Sequence, residues 1–281
     1  MIERNNYNGI EYVIYRPEQY SKIDNLPVVV LFRGHPDEWF QSRQDTSRGK
    51  RNSYLVINDL ITKGYVKPAA YLFPATCNSA LDEYYFCHDL KAPKQRNNQE
   101  NYLTHQNFET EFLPDVCKQY NLDENKVSLD GFSLGGYTSL VYSFLSPEKY
   151  ISTGSFDGAI LNYETDNIKL NPKTTSDLTF DSFPYIFGGI PSQKDFESID
   201  PLFKISNDFI IPKNLFISGT NCNLENSNKP RVKLLLETMQ SKNINNHCDA
   251  SIIDINSSHE WFWVDEYLYR ALPFHTHKLN K

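Results

Sequence analysis

One stretch constrains this chain more than any other: Val127-Ser128-Leu129-Asp130-Gly131-Phe132-Ser133-Leu134-Gly135-Gly136, continuing into Tyr137-Thr138-Ser139-Leu140-Val141-Tyr142. A short strand-like run feeds Gly-x-Ser-x-Gly, and a helix-compatible run leaves it. That order predicts a nucleophile elbow, a tight strained turn on which the hydroxyl of Ser133 projects while small neighbours let the backbone pass close by. The bare pattern arises easily by chance. Its flanking strand and helix are what make Ser133 a candidate nucleophile.

Bulk properties exclude several alternatives. The chain of 281 residues is 40% hydrophobic, enough to bury one sizeable core. Its 28 Lys and Arg against 35 Asp and Glu give a net charge of −7, whereas a nucleic-acid binder concentrates basic side chains on one face. No apolar run approaches the roughly 18 residues of a bilayer span. The N-terminus lacks the apolar core and cleavage site of a signal peptide, as expected of a cytoplasmic protein or of a secreted one whose leader has already been removed. Five scattered cysteines (77, 87, 117, 222 and 248) form no CxxC. They read as reduced thiols of a cytoplasmic protein, with no metal site, disulfide framework or cofactor expected.

Alternation runs along the whole chain. Glu11 to Pro17 alternates as a strand, and Pro27-Val28-Val29-Val30-Leu31-Phe32 is a continuous apolar run, as in a strand buried on both faces of a parallel sheet. Ser53 to Lys63 predicts a helix with Leu55, Ile57, Leu60 and Ile61 on one side; Ala69 to Pro74 predicts a strand. Phe108 to Tyr120 predicts an amphipathic helix before the elbow strand, which is read over Lys126 to Leu129. Ser152 to Gly158, Asn214 to Gly219 and Ala250 to Ile255 predict further strands, with helices around Val232 to Ser241 and at the C-terminus. Strand and helix alternating in this way predict a three-layer α/β sandwich in a single domain spanning 1–281. Polar, aperiodic segments near 89–106 and 162–198 are expected to be loop or lid insertions.

A serine hydroxyl attacks only when a base takes its proton. His259, in Ser257-Ser258-His259-Glu260-Trp261-Phe262-Trp263, follows a predicted strand and precedes the last helix, the place of the base in the chain order Ser, acid, His. His275 and His277 read as solvated tail, and His88, His105 and His247 as surface. The acid is expected after the strand ending at Gly219, where Thr220-Asn221-Cys222-Asn223-Leu224-Glu225-Asn226 holds no aspartate. Glu225 is the nearest carboxylate; Asp254, an amide such as Asn221, or no group at all remain as alternatives. An oxyanion hole needs two backbone N–H groups. Leu134 supplies one, and the loop Arg33-Gly34-His35-Pro36 the other, from His35 in preference to Gly34 because Pro36 has no N–H. Arg33 is expected either to pair with Asp37 or Glu38 or to attract an anionic substrate. Trp39, Trp261 and Trp263 lie near these loops and are read as core or as walls of an aromatic cleft.

Together these motifs resemble the esterase family typified by enterochelin esterases, feruloyl and acetyl-xylan esterases of carbohydrate esterase family 1, and mycolyltransferases. Tyr15-Arg16-Pro17 through Leu31-Phe32-Arg33-Gly34 to Trp39 resembles its opening. Phe108-Glu109-Thr110-Glu111-Phe112-Leu113-Pro114 resembles its helix before the elbow strand, and Gly131 to Gly136 its GxSxGG. Ser258-His259-Glu260-Trp261 resembles its GHxW, and Phe187-Gly188-Gly189 leading to Asp200-Pro201-Leu202 also matches. The resemblance implies an α/β-hydrolase fold, a mostly parallel sheet with helices on both faces. It also implies Ser133 as nucleophile, His259 as base, and Leu134 with His35 as oxyanion donors. Arg33 replaces the usual histidine before Gly34, Ser257-Ser258 replaces a glycine pair, and Cys222 stands where the family has its aspartate. The acid therefore does not carry over.

The expected activity is hydrolysis of a small-molecule carboxylic ester, an acylated sugar or aryl ester, through an acyl-enzyme. Two alternatives share the site: acyl transfer to an alcohol, and a degenerate hydrolase that only binds. Oligomeric state is not legible.

Overall fold

The computed structural model describes residues 1–40, 46–75, 103–163, 192–223 and 228–281. Seven strands form one sheet in the order β1-β2-β4-β3-β5-β6-β7. They are β1 (Ile2–Tyr7), β2 (Ile10–Tyr15), β3 (Leu26–Phe32), β4 (Ala70–Pro74), β5 (Leu122–Gly131), β6 (Ser152–Phe156) and β7 (Leu215–Ser218). β1 and β2 pair antiparallel, as do β2 and β4; β4, β3, β5, β6 and β7 run parallel. The described helices are α1 (Asp37–Phe40), α2 (Ser53–Thr62), α3 (Leu113–Tyr120), α4 (Leu134–Leu145), α5 (Gln193–Glu197), α6 (Pro201–Ser206), α7 (Lys229–Ser241) and α8 (Trp261–Leu279). This is the α/β-hydrolase fold. No described helix is long and apolar enough to cross a membrane.

The pleat of β3 explains why its apolar run is unbroken. Val28, Val30 and Phe32 pack into one core with Tyr137, Leu140, Val141 and Phe144 of α4 and Val232, Leu235 and Met239 of α7. Val29 and Leu31 point the other way, into a core with Val56, Ile57 and Leu60 of α2 and Val264, Leu268 and Leu272 of α8. Period-2 alternation thus feeds two cores, each buried aliphatic or aromatic side chain contributing about 1.5–3 kcal/mol.

Several expectations are adjusted. Leu55 is exposed, and Val56 takes its place on the buried face of α2. The run Ala250 to Ile255 is not a strand: Ile252 makes an isolated bridge to Gly219, and Ala250 O accepts from Ser218 Oγ–H of β7 at 2.6 Å. His275, read as solvated tail, is fully buried in α8. The expected insertions at 89–106 and 162–198 lie mostly outside the described residues; 192–198 contains α5, and His105–Asn107 forms a helical turn.

That turn continues through a π-helical turn, Phe108–Phe112, into α3. Its Glu109 carboxylate takes the His105 ring at 3.0 Å and the hydroxyls of Tyr150 at 2.6 Å and Ser146 at 3.0 Å, pinning the segment to the end of α4. Burial opposes ionisation of Glu109, yet hydrogen bonds from His105 and Tyr150 prevail and hold its pKa down at about 2. A carboxylate depressed in the folded state stabilises above its unfolded value and loses that contribution as pH falls toward the folded one. Glu109→Gln is therefore expected to cost about 1–3 kcal/mol at neutral pH. The gap to wild type should narrow as pH drops from about 4.5 toward about 2, as urea unfolding at a series of pH values would report.

Candidate active site

β5 delivers its chain to the sheet edge at Gly131, and α4 starts at Leu134, so the reversal falls on Phe132 and Ser133. Ser133 takes φ 55 and ψ −114, a conformation costly for a residue with a Cβ. Surrounding bonds impose it. Ser133 N–H donates to Phe156 O at 2.9 Å, and Ser133 O accepts from Tyr137 N–H at 3.1 Å and Ala159 N–H at 3.0 Å. The glycines let the backbone close in: a Cβ on Gly135 would fall 1.8 Å from Phe32 O. The elbow therefore rests directly on the end of β3. Ser133 is 6% exposed.

His259 lies in the loop before α8. Its ring packs on Phe132, the neighbour of Ser133, with centroids 4.6 Å apart. Its Nδ1 lies 2.5 Å from Oδ2 of Asp157, a short charge-assisted contact to a fully buried carboxylate. Asp157 directly follows β6 and holds φ 44. Thr220 supports both of its oxygens, donating N–H to Oδ1 at 3.1 Å and Oγ–H to Oδ2 at 3.0 Å, while Asn228 donates to its backbone carbonyl at 2.8 Å. With Nδ1–H committed to the carboxylate, Nε2 of His259 keeps its lone pair.

Asp157 is the residue that sequence reading missed. The sequence points to a carboxylate at the end of β7, where Cys222 stands; the carboxylate against the His259 ring is at the end of the adjacent parallel strand, and the β7 end contributes Thr220 as its support. The available signal was Asp157-Gly158 directly after a strand that neighbours the elbow strand. Glu225 lies outside the described residues. Asp254 accepts from Asn256 N–H in its own turn, and Asn221 donates to Ile255 O and accepts from Lys229, so neither orients the ring.

The expected oxyanion donors separate. Leu134 presents its N–H at the first turn of α4, where helix N–H groups have no partner within the helix. His35 does not offer its own: the N–H donates to Glu38 Oε1 at 3.0 Å. His35 stands two residues before α1; its Nδ1 accepts from Asp37 N–H at 3.1 Å, and the carboxylate of Glu38 reaches back to the His35 N–H. Glu38 also pairs with Arg33 Nε at 3.0 Å, and the Arg33 guanidinium lies over the Phe132 ring at 5.0 Å. Trp39 and Trp261 are 1% and 5% exposed and meet edge to face at 5.2 Å, so they are core residues and not cleft walls. Arg48, unnoticed in the sequence, binds this core together. It stacks on Trp261, pairs with buried Asp265 of α8, and donates to the carbonyls of Glu38 and Trp39.

A family model described as "Putative esterase" matches residues 8–273. The fold resembles a ferulic acid esterase at 15% identity, covering 99% of this chain and 97% of that one, with a TM-score of 0.68. It also resembles an S-formylglutathione hydrolase from Agrobacterium tumefaciens at 14% identity, covering 99% and 94%, TM-score 0.65. A third is S-formylglutathione hydrolase (FrmB) from Staphylococcus aureus, at 15% identity, covering 98% of each chain, TM-score 0.63. No curated protein matches the sequence.

The close approach at the elbow makes a prediction independent of chemistry. Gly135→Ala should lower unfolding free energy by at least about 3 kcal/mol, because backbone and not a flexible side chain stands in the way. A denaturation curve within about 1 kcal/mol of wild type would contradict the contact.

Proposed function

The chain belongs to the esterase family, and on that premise we propose that it hydrolyses a small carboxylic ester through an acyl-enzyme on Ser133. His259 is the general base and Asp157 the carboxylate that orients it. The observation that carries this reading is the 2.5 Å contact between Asp157 and His259 Nδ1, with the ring packed beside the elbow residue Phe132. Such a contact fixes the tautomer in which Nε2 accepts a proton and steadies the imidazolium that results.

The chemistry follows in two halves. Ser133 Oγ attacks the ester carbonyl as Nε2 of His259 takes its proton. The tetrahedral oxyanion is held by Leu134 N–H together with a backbone donor from the loop after β3, where His35 N–H donates to Glu38 in the free protein. Collapse breaks the bond to the alcohol, which leaves with the proton from His259. Water then attacks the acyl-enzyme, giving its proton to His259, and the carboxylic acid departs as Ser133 recovers its hydrogen. Among the described residues the Ser133 hydroxyl makes no hydrogen bond, and the contact with Nε2 closes once substrate is bound, as is common for unliganded sites. Likeness to a ferulic acid esterase and to S-formylglutathione hydrolases supports aryl esters and small acyl thioesters as the first substrates to try.

The test is turnover of p-nitrophenyl acetate, methyl ferulate and a formyl thioester. Ser133→Ala should abolish enzymatic hydrolysis of whichever ester is accepted. Asp157→Asn should reduce kcat by about a thousandfold or more, while Glu225→Gln and Asp254→Asn stay near wild type. Equal rates for wild type and Ser133→Ala would end this reading, and loss of activity in Glu225→Gln with Asp157→Asn active would reassign the acid.

A further inference from the structure

A second polar cluster lies wholly inside the protein, beneath the site, and the reaction above does not use it. Its centre is Asp130, 1% exposed, three residues before Ser133 on β5. Oδ1 accepts the N–H of Gly131 at 2.6 Å, and Oδ2 faces His275 Nε2 at 2.9 Å. The Tyr267 hydroxyl lies 3.2 and 3.1 Å from the two carboxylate oxygens and 3.0 Å from Phe216 O of β7. His275 Nδ1 lies 2.8 Å from Ser152 Oγ of β6, which lies 2.6 Å from Ser128 Oγ of β5. Gly154 on β6 leaves room for the carboxylate, since a Cβ there would fall 2.3 Å from Oδ2.

The elements joined in this way are those that carry the site. β5 runs into Ser133, β6 into Asp157, β7 toward Thr220, and α8 begins two residues after His259. Tyr267 and His275 both belong to α8, so one carboxylate fixes the rotation and axial height of that helix against the nucleophile strand. Burying ionisable groups is expensive, and well-packed apolar side chains of similar volume commonly give equal or greater stability. What an apolar core lacks is directionality: greasy surfaces tolerate a small slide or twist, whereas hydrogen bonds on fixed lone pairs do not.

We propose that Asp130 is a positioning residue, whose bonds to Tyr267 and His275 hold α8 in the register that brings His259 to Ser133. This rests on the serine-hydrolase reading above. Acyl transfer demands that the reacting atoms be placed to within about an ångström of the productive geometry, so small errors of register cost rate more than binding.

The experiment measures kcat, KM and Ser133 labelling by a fluorophosphonate probe for wild type, Tyr267→Phe, His275→Gln, their double variant and Asp130→Asn, with thermal melting of each. Labelling of wild type and none of Ser133→Ala first secures the underlying reading; without it that reading fails, whatever Asp130 does. Tyr267→Phe, which keeps the ring stacked on Phe156 at 4.6 Å, and His275→Gln are each expected to lower kcat about 5- to 10-fold well below their melting temperatures, with KM within about twofold and slower labelling. The double variant should lose at least 30-fold. Should Asp130→Asn fail to fold, these variants decide alone. Folded variants that melt earlier yet keep wild-type kcat and labelling rate would reduce the cluster to a stabilising device and overturn the proposal.

Discussion

Three parallel strands ending at one edge of the sheet, and hydrogen bonds that continue past those ends, are the constraint from which the rest of the site follows. Ser133 N–H reaches across to Phe156 O, and Asp157 N–H reaches across to Ser218 O at 2.8 Å. These bonds lie just beyond the regular ladders of β5, β6 and β7, where a chain ordinarily departs into loops. They hold Ser133 beside the last residue of β6 and Asp157 beside the last residue of β7. The strained φ of Ser133 and the left-handed φ of Asp157 are both kept by this stitching.

The electrostatics depend on the same stitching. A fully buried carboxylate is costly unless donors surround it. Asp157 meets two groups from Thr220 and Nδ1 of the His259 ring, whose side chain is itself about one-third exposed. Because parallel strands share an edge, the carboxylate can move from the end of one strand to its neighbour and still reach the same ring. The absence of an aspartate after β7 therefore does not leave the ring without a carboxylate: Asp157, at the end of β6, lies against His259 Nδ1.

Much of the fold was legible because strands buried on both faces read as apolar runs and helices read at their own period. The elbow and the loop of His259 were legible for a related reason, since the serine turn needs glycines at fixed offsets. Other features were hidden by what one-dimensional reading cannot weigh. Ala250 to Ile255 has strand-like composition, yet Ile255 is 79% exposed and Asp254 closes a turn. Trp39 and Trp261 lie near the motifs along the chain but pack against each other, since proximity to a site in sequence does not decide which way a ring faces. His275 reads as tail from its place near the end of the chain, although Leu268, Leu272, His275 and Leu279 share one helical face. Asp157 is hidden because the motif ties an acid to one particular strand, whereas neighbouring strands share the same sheet edge.

The central claim, that Asp157 holds His259 ready at Nδ1, is tested most directly by proton NMR of the hydrogen-bonded imidazole N–H. A low-field resonance assigned to His259 Nδ1–H should be present in wild type, persist in Ser133→Ala, Glu225→Gln and Asp254→Asn, and vanish in Asp157→Ala. A resonance that survives in Asp157→Ala, or disappears in Glu225→Gln with the fold intact, would contradict it.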